Sequence, residues 1–182
     1  LIYKNGWGIH LYGSRESIIN NTLKTNAYHG ISIMHGYDHR ILGNVIMKNG
    51  RFKNSEDILG NGIFIYRNAG NITIRGNEIH SNDDFGIYIY RSYNNIISEN
   101  NFIDNGRDNN SGDTSNAYVF THLVDIFKRN MWSDNYWSDT NQPITGWHII
   151  PADLQILAYF ELVITVPWIF VEKEPADEPH VI

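Results

Sequence analysis

The sequence predicts an all-β fold, a parallel solenoid of about five coils closed by an irregular C-terminal cap. Two observations carry this: a strand-and-turn pattern that recurs along the chain, and two registers of asparagine that recur with it. A third, the composition, agrees. The chain is rich in Asn, Gly, Ile and Tyr, residues that suit tight turns and pleated surfaces better than helices.

The clearest copy of the pattern is GIYIYRSYNNIISENNFIDN, residues 86–105. The alternation Ile87-Tyr88-Ile89-Tyr90 leads through a polar bend to a second alternation and an asparagine turn. GIHLY at 8–12, GISIM at 30–34, GIFIY at 62–66 and NAYVF at 116–120 open four further copies. Period-two alternation sends Ile9/Leu11, Ile31/Ile33, Ile63/Ile65, Ile87/Ile89 and Ala117/Val119 to one face. Stacked about 4.8 Å apart, they form continuous core columns. A further core column is expected from Leu23, Ile46, Ile79, Phe102 and Trp132.

Asn21, Asn44, Asn77, Asn100 and Asn130 make one register, and Asn26, Asn49, Asn82, Asn105 and Asn135 the other, five residues later. An amide at a turn bonds the local backbone and also the amide of the next coil, so each register predicts an asparagine ladder.

Repeat starts are 22, 32, 24 and 30 residues apart. The long intervals hold inserts at Gly50–Asn61 and Gly106–Ser115, which leave the solenoid at the same edge. Such inserts map to one face, often the binding face. Residues 1–139 are expected to form the repeats, and 140–182 a cap and tail of the same domain. This tail is rich in Trp and Pro, as suits the closing of an open solenoid end. Its apolar run Leu154–Val171 carries Glu161 and Pro167 and reads as two buried strands, so no membrane span is expected.

There are no cysteines, which excludes disulfides and thiolate metal sites. The net charge of −6 argues against a nucleic-acid partner. The chain opens inside a strand-like LIY with no initiator Met, so it reads as part of a longer protein whose neighbouring domains are partners.

The repeat GIxIxxSxxNxIxxNxIxxN resembles the right-handed parallel β-helix repeats of the NosD-like family. That family is described as periplasmic copper-binding and sits within the carbohydrate-binding and sugar-hydrolase group. Asn135-Tyr-Trp137, Pro167-Trp168 and Pro175–Pro179 resemble the ends of such domains in archaeal surface proteins. The resemblance implies a right-handed coil, a pectin-lyase-like solenoid, and an extracellular, cell-surface or periplasmic location.

The outward strand positions carry the candidate binding site. One column reads His10, Ser32, Phe64, Tyr88, Tyr118, and the next Tyr12, Met34, Tyr66, Tyr90, Phe120, with Arg67 and Arg91 beside them. Flat aromatic faces stack on sugar rings, while Arg bonds hydroxyl or carboxylate groups. A polysaccharide or cell-surface glycan is the expected partner of Phe64, Tyr66, Arg67, Tyr88, Tyr90, Arg91, Tyr118 and Phe120. The competing reading is a face covered by the tail or a neighbouring domain, leaving a rigid scaffold.

Two other chemistries are open. Asp57, Asp83, Asp84 and Asp113 lie in the turns leading into the aromatic strands. Carboxyls from neighbouring coils suit glycoside hydrolysis, and a lyase of this fold would use Ca²⁺ with a basic residue. For copper, the ligand types are supplied by Met34, His35 and His39, although Gly13, Arg67, Arg91 and Thr121 replace His35 in other coils.

Overall fold

The computed structural model describes residues 1–50, 60–106, 116–122, 130–138, 145–149, 167–169, 176 and 178–182. The chain enters on β1 (Ile2–Tyr3) and then makes repeated coils of three short strands. The first coil holds β2 (Ile9–Leu11), β3 (Ser17–Ile19) and β4 (Thr22–Lys24). The second holds β5 (Ile31–Met34), β6 (Arg40–Leu42) and β7 (Val45–Met47). The third holds β8 (Ile63–Tyr66), β9 (Thr73–Arg75) and β10 (Glu78–His80). The fourth holds β11 (Ile87–Tyr90), β12 (Ile96–Ser98) and β13 (Asn101–Ile103). The fifth holds β14 (Ala117–His122), β15 (Met131–Ser133) and β16 (Tyr136–Trp137), and β17 (Thr145–Ile149) and β18 (Pro167–Ile169) follow.

Corresponding strands stack into three sheets of a right-handed parallel β-helix. The front sheet runs β2-β5-β8-β11-β14-β17, all parallel, with β18 antiparallel on β17. The side sheet runs β3-β6-β9-β12-β15, and the back sheet β1-β4-β7-β10-β13-β16. Among the described residues no helix is long and apolar enough to cross a membrane.

Each sheet sends one apolar stripe inward. Ile31, Ile33, Ile63, Ile65, Ile87 and Ile89 of the front sheet have no exposed surface, and each contributes roughly 1.5–3 kcal/mol of burial. The back-sheet column is Ile2, Leu23, Ile46, Ile79, Phe102 and Trp137. The side-sheet column is Ile18, Ile41, Ile74, Ile97 and Trp132.

Both asparagine ladders form. Asn77 shows the unit: its Oδ1 accepts from the backbone N–H and the Nδ2 of Asn44, at 2.9 and 3.0 Å. Its own Nδ2 donates to Asn100 Oδ1 at 2.9 Å and to the Ile41 carbonyl at 2.9 Å. Nine ladder asparagines follow a left-handed residue: Asn20, Gly43, Gly76, Glu99 and Asp134 at one corner, and Thr25, Lys48, Ser81 and Asp104 at the other, with φ of 48–62°. One left-handed residue followed by a buried amide makes the corner. The leading glycines are held by contact: a Cβ on Gly62 would stand 2.5 Å from the Gly86 carbonyl and 2.9 Å from Asn82 Nδ2.

The last coil corrects the expected register. Asn135, not Asn130, continues the first ladder from Asn100, at 2.9 Å. Asn130 instead accepts from Asn95 at 2.8 Å, in a short third ladder that begins at the Ile72 N–H. The second ladder ends on Asn116, which accepts from Asn105 Nδ2 at 2.7 Å from the leading position itself. Trp132 accordingly belongs to the side-sheet column, and Trp137 holds the back-sheet place expected for it.

Candidate functional site

The front sheet presents its outer face in register. Phe64, Tyr88 and Tyr118 are paired across β8, β11 and β14, and Met34, Tyr66, Tyr90 and Phe120 form the next column. Alternation that buries the isoleucines leaves Phe64, Tyr88, Tyr118, Met34, Tyr66 and Tyr90 outward. The Phe120 side chain lies outside the described residues.

The rings pack on one another. Phe64 lies 4.6 Å from Tyr66 and 7° from parallel, and 5.2 Å from Tyr88. Tyr88 meets Tyr118 edge-on at 5.0 Å and Tyr90 at 6.4 Å. Offset and edge contacts of this kind fix ring positions beyond what burial alone supplies. Burial, followed by the neighbouring Tyr118, Tyr90 and Asp84, raises the Tyr88 hydroxyl well above the usual phenol range. It therefore remains a hydrogen-bond donor across neutral pH.

Arg67 and Arg91 close β8 and β11 in the left-handed conformation, φ 59° and 51°. The Arg67 guanidinium sits 5.4 Å over the Tyr66 ring, and its Nη1 is 3.8 Å from Met34 Sδ. A cation thus borders the aromatic columns on the exit side of the strands.

The entry side carries aspartates and insert roots. Asp83 N–H bonds the Asn49 carbonyl and Asp84 N–H bonds the Gly60 carbonyl, so the pair sits under the root of the first insert. Gly106, at the root of the second, donates to the Asn82 and Asp84 carbonyls. Burial pushes the Asp84 carboxyl up to about 7, against a hydrogen bond from the Phe85 backbone. Asp57, Asp113 and the bodies of both inserts lie outside the described residues.

The strand pattern missed a column of the site. Phe85, in the turn before β11, stacks 5.1 Å from Tyr118 and meets Tyr88 at 5.8 Å. His29 occupies the same position two coils earlier and lies 4.8 Å from Phe64. Burial, then the nearby His10, pushes His29 down to about 3. An aromatic three residues before the outward strand position, as in Phe85/Tyr88, is the signal that marks this column.

Of the copper candidates, Met34 ends β5, His35 follows it and His39 precedes β6. His35 is exposed at the end of β5, whereas His39 is buried with Nδ1 2.7 Å from Glu16 Oε2. Among the described residues no three His, Asp or Glu side chains are grouped to hold a metal.

Of the tail, β17 and β18 extend the front sheet, with Thr145 paired to Tyr118 and Trp147 to Phe120, whereas Ala176 and His180 meet another face. Asn101, outward on β13, donates from Nδ2 to the His180 carbonyl at 2.8 Å and accepts from its N–H at 2.7 Å. Ala176 N–H bonds the Asn135 carbonyl. These tail residues attach to the back sheet and its corner rather than to the aromatic columns.

Residues 1–139 match the family described as right-handed beta helix region. The chain belongs to the right-handed β-helix family. No curated protein and no solved structure gives a match. For this β-helix the family fixes the coil and the three sheets, while the chemistry of the front sheet rests on its own residues.

Proposed function

We propose that this β-helix binds carbohydrate on the outer face of its front sheet, as a module of an exported or cell-surface protein. One observation carries the reading: Phe64, Tyr66, Tyr88 and Tyr118 form a continuous outward array of mutually packed rings. Rings held in this way offer flat apolar area at little entropic cost, and Arg67, Arg91 and the Tyr88 hydroxyl supply polar contacts at its margin.

A glycan-array screen with and without Ca²⁺ and Cu²⁺ tests this. Retention that survives metal removal supports binding by the rings alone; retention only with Cu²⁺ would favour a NosD-like copper role.

A second reading rests on Asp84. A buried carboxyl held up to about 7, with its charge felt by Tyr88, has the protonation behaviour of a general acid. In that reading the face belongs to a glycoside hydrolase or polysaccharide lyase. Product analysis on any retained glycan separates cleavage from binding, and Asp84→Asn abolishes product only if the carboxyl takes part.

A further inference from the structure

The first two coils carry a second aromatic cluster on the same front face, outside the array just described. Trp7, in the turn before β2, lies on His10 with ring centroids 4.5 Å apart and 18° from parallel. His10 meets Tyr12 at 4.5 Å, and Tyr28 of the next coil packs 5.8 Å from Trp7. Trp7 and Tyr12 are 43% and 61% exposed, whereas Phe64, Tyr66, Tyr88, Tyr90 and Tyr118 are half-buried. Both His10 ring nitrogens are buried without a hydrogen-bond partner among the described residues. Burial also lowers its pKa, so the imidazole is a neutral, flat spacer that fixes Trp7.

We propose that Trp7 and Tyr12 form a second sugar-stacking platform, and that the partner is a linear polysaccharide lying along the solenoid axis. The inference rests on the carbohydrate reading above and gives that ligand its length and direction. Register carries it: His10, Ser32, Phe64, Tyr88 and Tyr118 are consecutive partners in one column. With coils about 4.8 Å apart, His10 stands about 10 Å from Phe64 and about 14 Å from Tyr88, so a sugar ring seated on Trp7 does not also reach Tyr88. Ser32, the smallest side chain of the column, lies between them and is 2% exposed, so neighbouring side chains close over it. The cluster has no charged side chain, so it recognises the apolar face of a pyranose ring rather than an acidic substituent.

The test is calorimetric titration with dimers and hexamers of β-1,4-linked glucan, xylan and mannan and of α-1,4-linked polygalacturonate. The wild-type chain is expected to bind the hexamer of at least one series about tenfold more tightly than its dimer. Trp7→Ala with Tyr12→Ala lowers hexamer affinity to nearly that of the dimer, while Tyr88→Ala weakens both hexamer and dimer binding. Trp7→Phe, which keeps a ring on His10, retains most of the hexamer affinity. If the Trp7/Tyr12 variant binds the hexamer like wild type while Tyr88→Ala does not, the second platform is wrong and the carbohydrate reading stands. If the wild-type chain binds no hexamer, both fall. Circular dichroism melts confirm that each variant is folded.

Discussion

Phe64 and Tyr66, two residues apart on the outer face of β8, stack 4.6 Å apart with their rings 7° from parallel. Side chains at i and i+2 of a strand start roughly 6.6 Å apart, so the two rings lean together into one tile. Phe64 also touches His29 and Tyr88. Phe64→Ala removes all three ring contacts and is expected to cost about 1–3 kcal/mol in urea denaturation. Phe64→Leu, which keeps area but not the stacking plane, should recover about half of that.

The ladders make a sharper statement about stability. Asn77→Ala strips partners from buried groups of Asn44, Ile41 and Asn100, and should cost about 3 kcal/mol. The corrected register separates the last two asparagines. Asn135 is fully buried in the first ladder, whereas Asn130 is partly exposed at the end of the third. Asn135→Ala should therefore destabilise more than Asn130→Ala, and denaturant midpoints compare them directly.

Thr25 is a β-branched residue at φ 53°. The left-handed region costs such a side chain about 1–2 kcal/mol, and asparagine tolerates it better. Thr25→Asn is expected to stabilise the fold by about 1 kcal/mol, seen as a raised melting temperature. An unchanged or lowered value would mean that the threonine hydroxyl contributes as much as its backbone costs.

Asp84 gives the fold a pH dependence of definite sign. Its carboxyl is raised from 3.8 to about 7 by burial. The unfolded chain therefore ionises first, and stability falls as pH rises from about 4 through 7. Asp84→Asn should melt like wild type at pH 4 and above it at pH 8. Thermal melts across that window check the crossing.

Much of this architecture was legible because burial and alternation are local. Ile31, Ile33, Ile63 and Ile65 declare the front core by period two, and the asparagine spacing announces ladders. The last coil misled because the spacing is ambiguous. Asn95 to Asn100 and Asn100 to Asn105 are both five residues, each with a core residue two after the asparagine, so Asn130-x-Trp132 and Asn135-x-Trp137 fit either corner. Only pairing across strands decides, through Ile97 with Trp132 and Phe102 with Trp137. The strand half of the candidate site followed from alternation at Phe64, Tyr66, Tyr88 and Tyr118. Phe85, His29 and Trp7 did not, because they sit in turns where no period applies and reach the face by packing across three residues or between coils.

The most direct test of carbohydrate binding is a side-by-side array measurement of the wild-type chain and Tyr88→Ala, the ring that contacts Phe64, Phe85, Tyr90 and Tyr118. The wild type should be retained on at least one polysaccharide, and Tyr88→Ala should lose about tenfold or more of that retention while keeping its β-sheet circular dichroism. Equal retention by both proteins, or none by the wild type with or without Ca²⁺ and Cu²⁺, would contradict the account and leave the front sheet as a structural face.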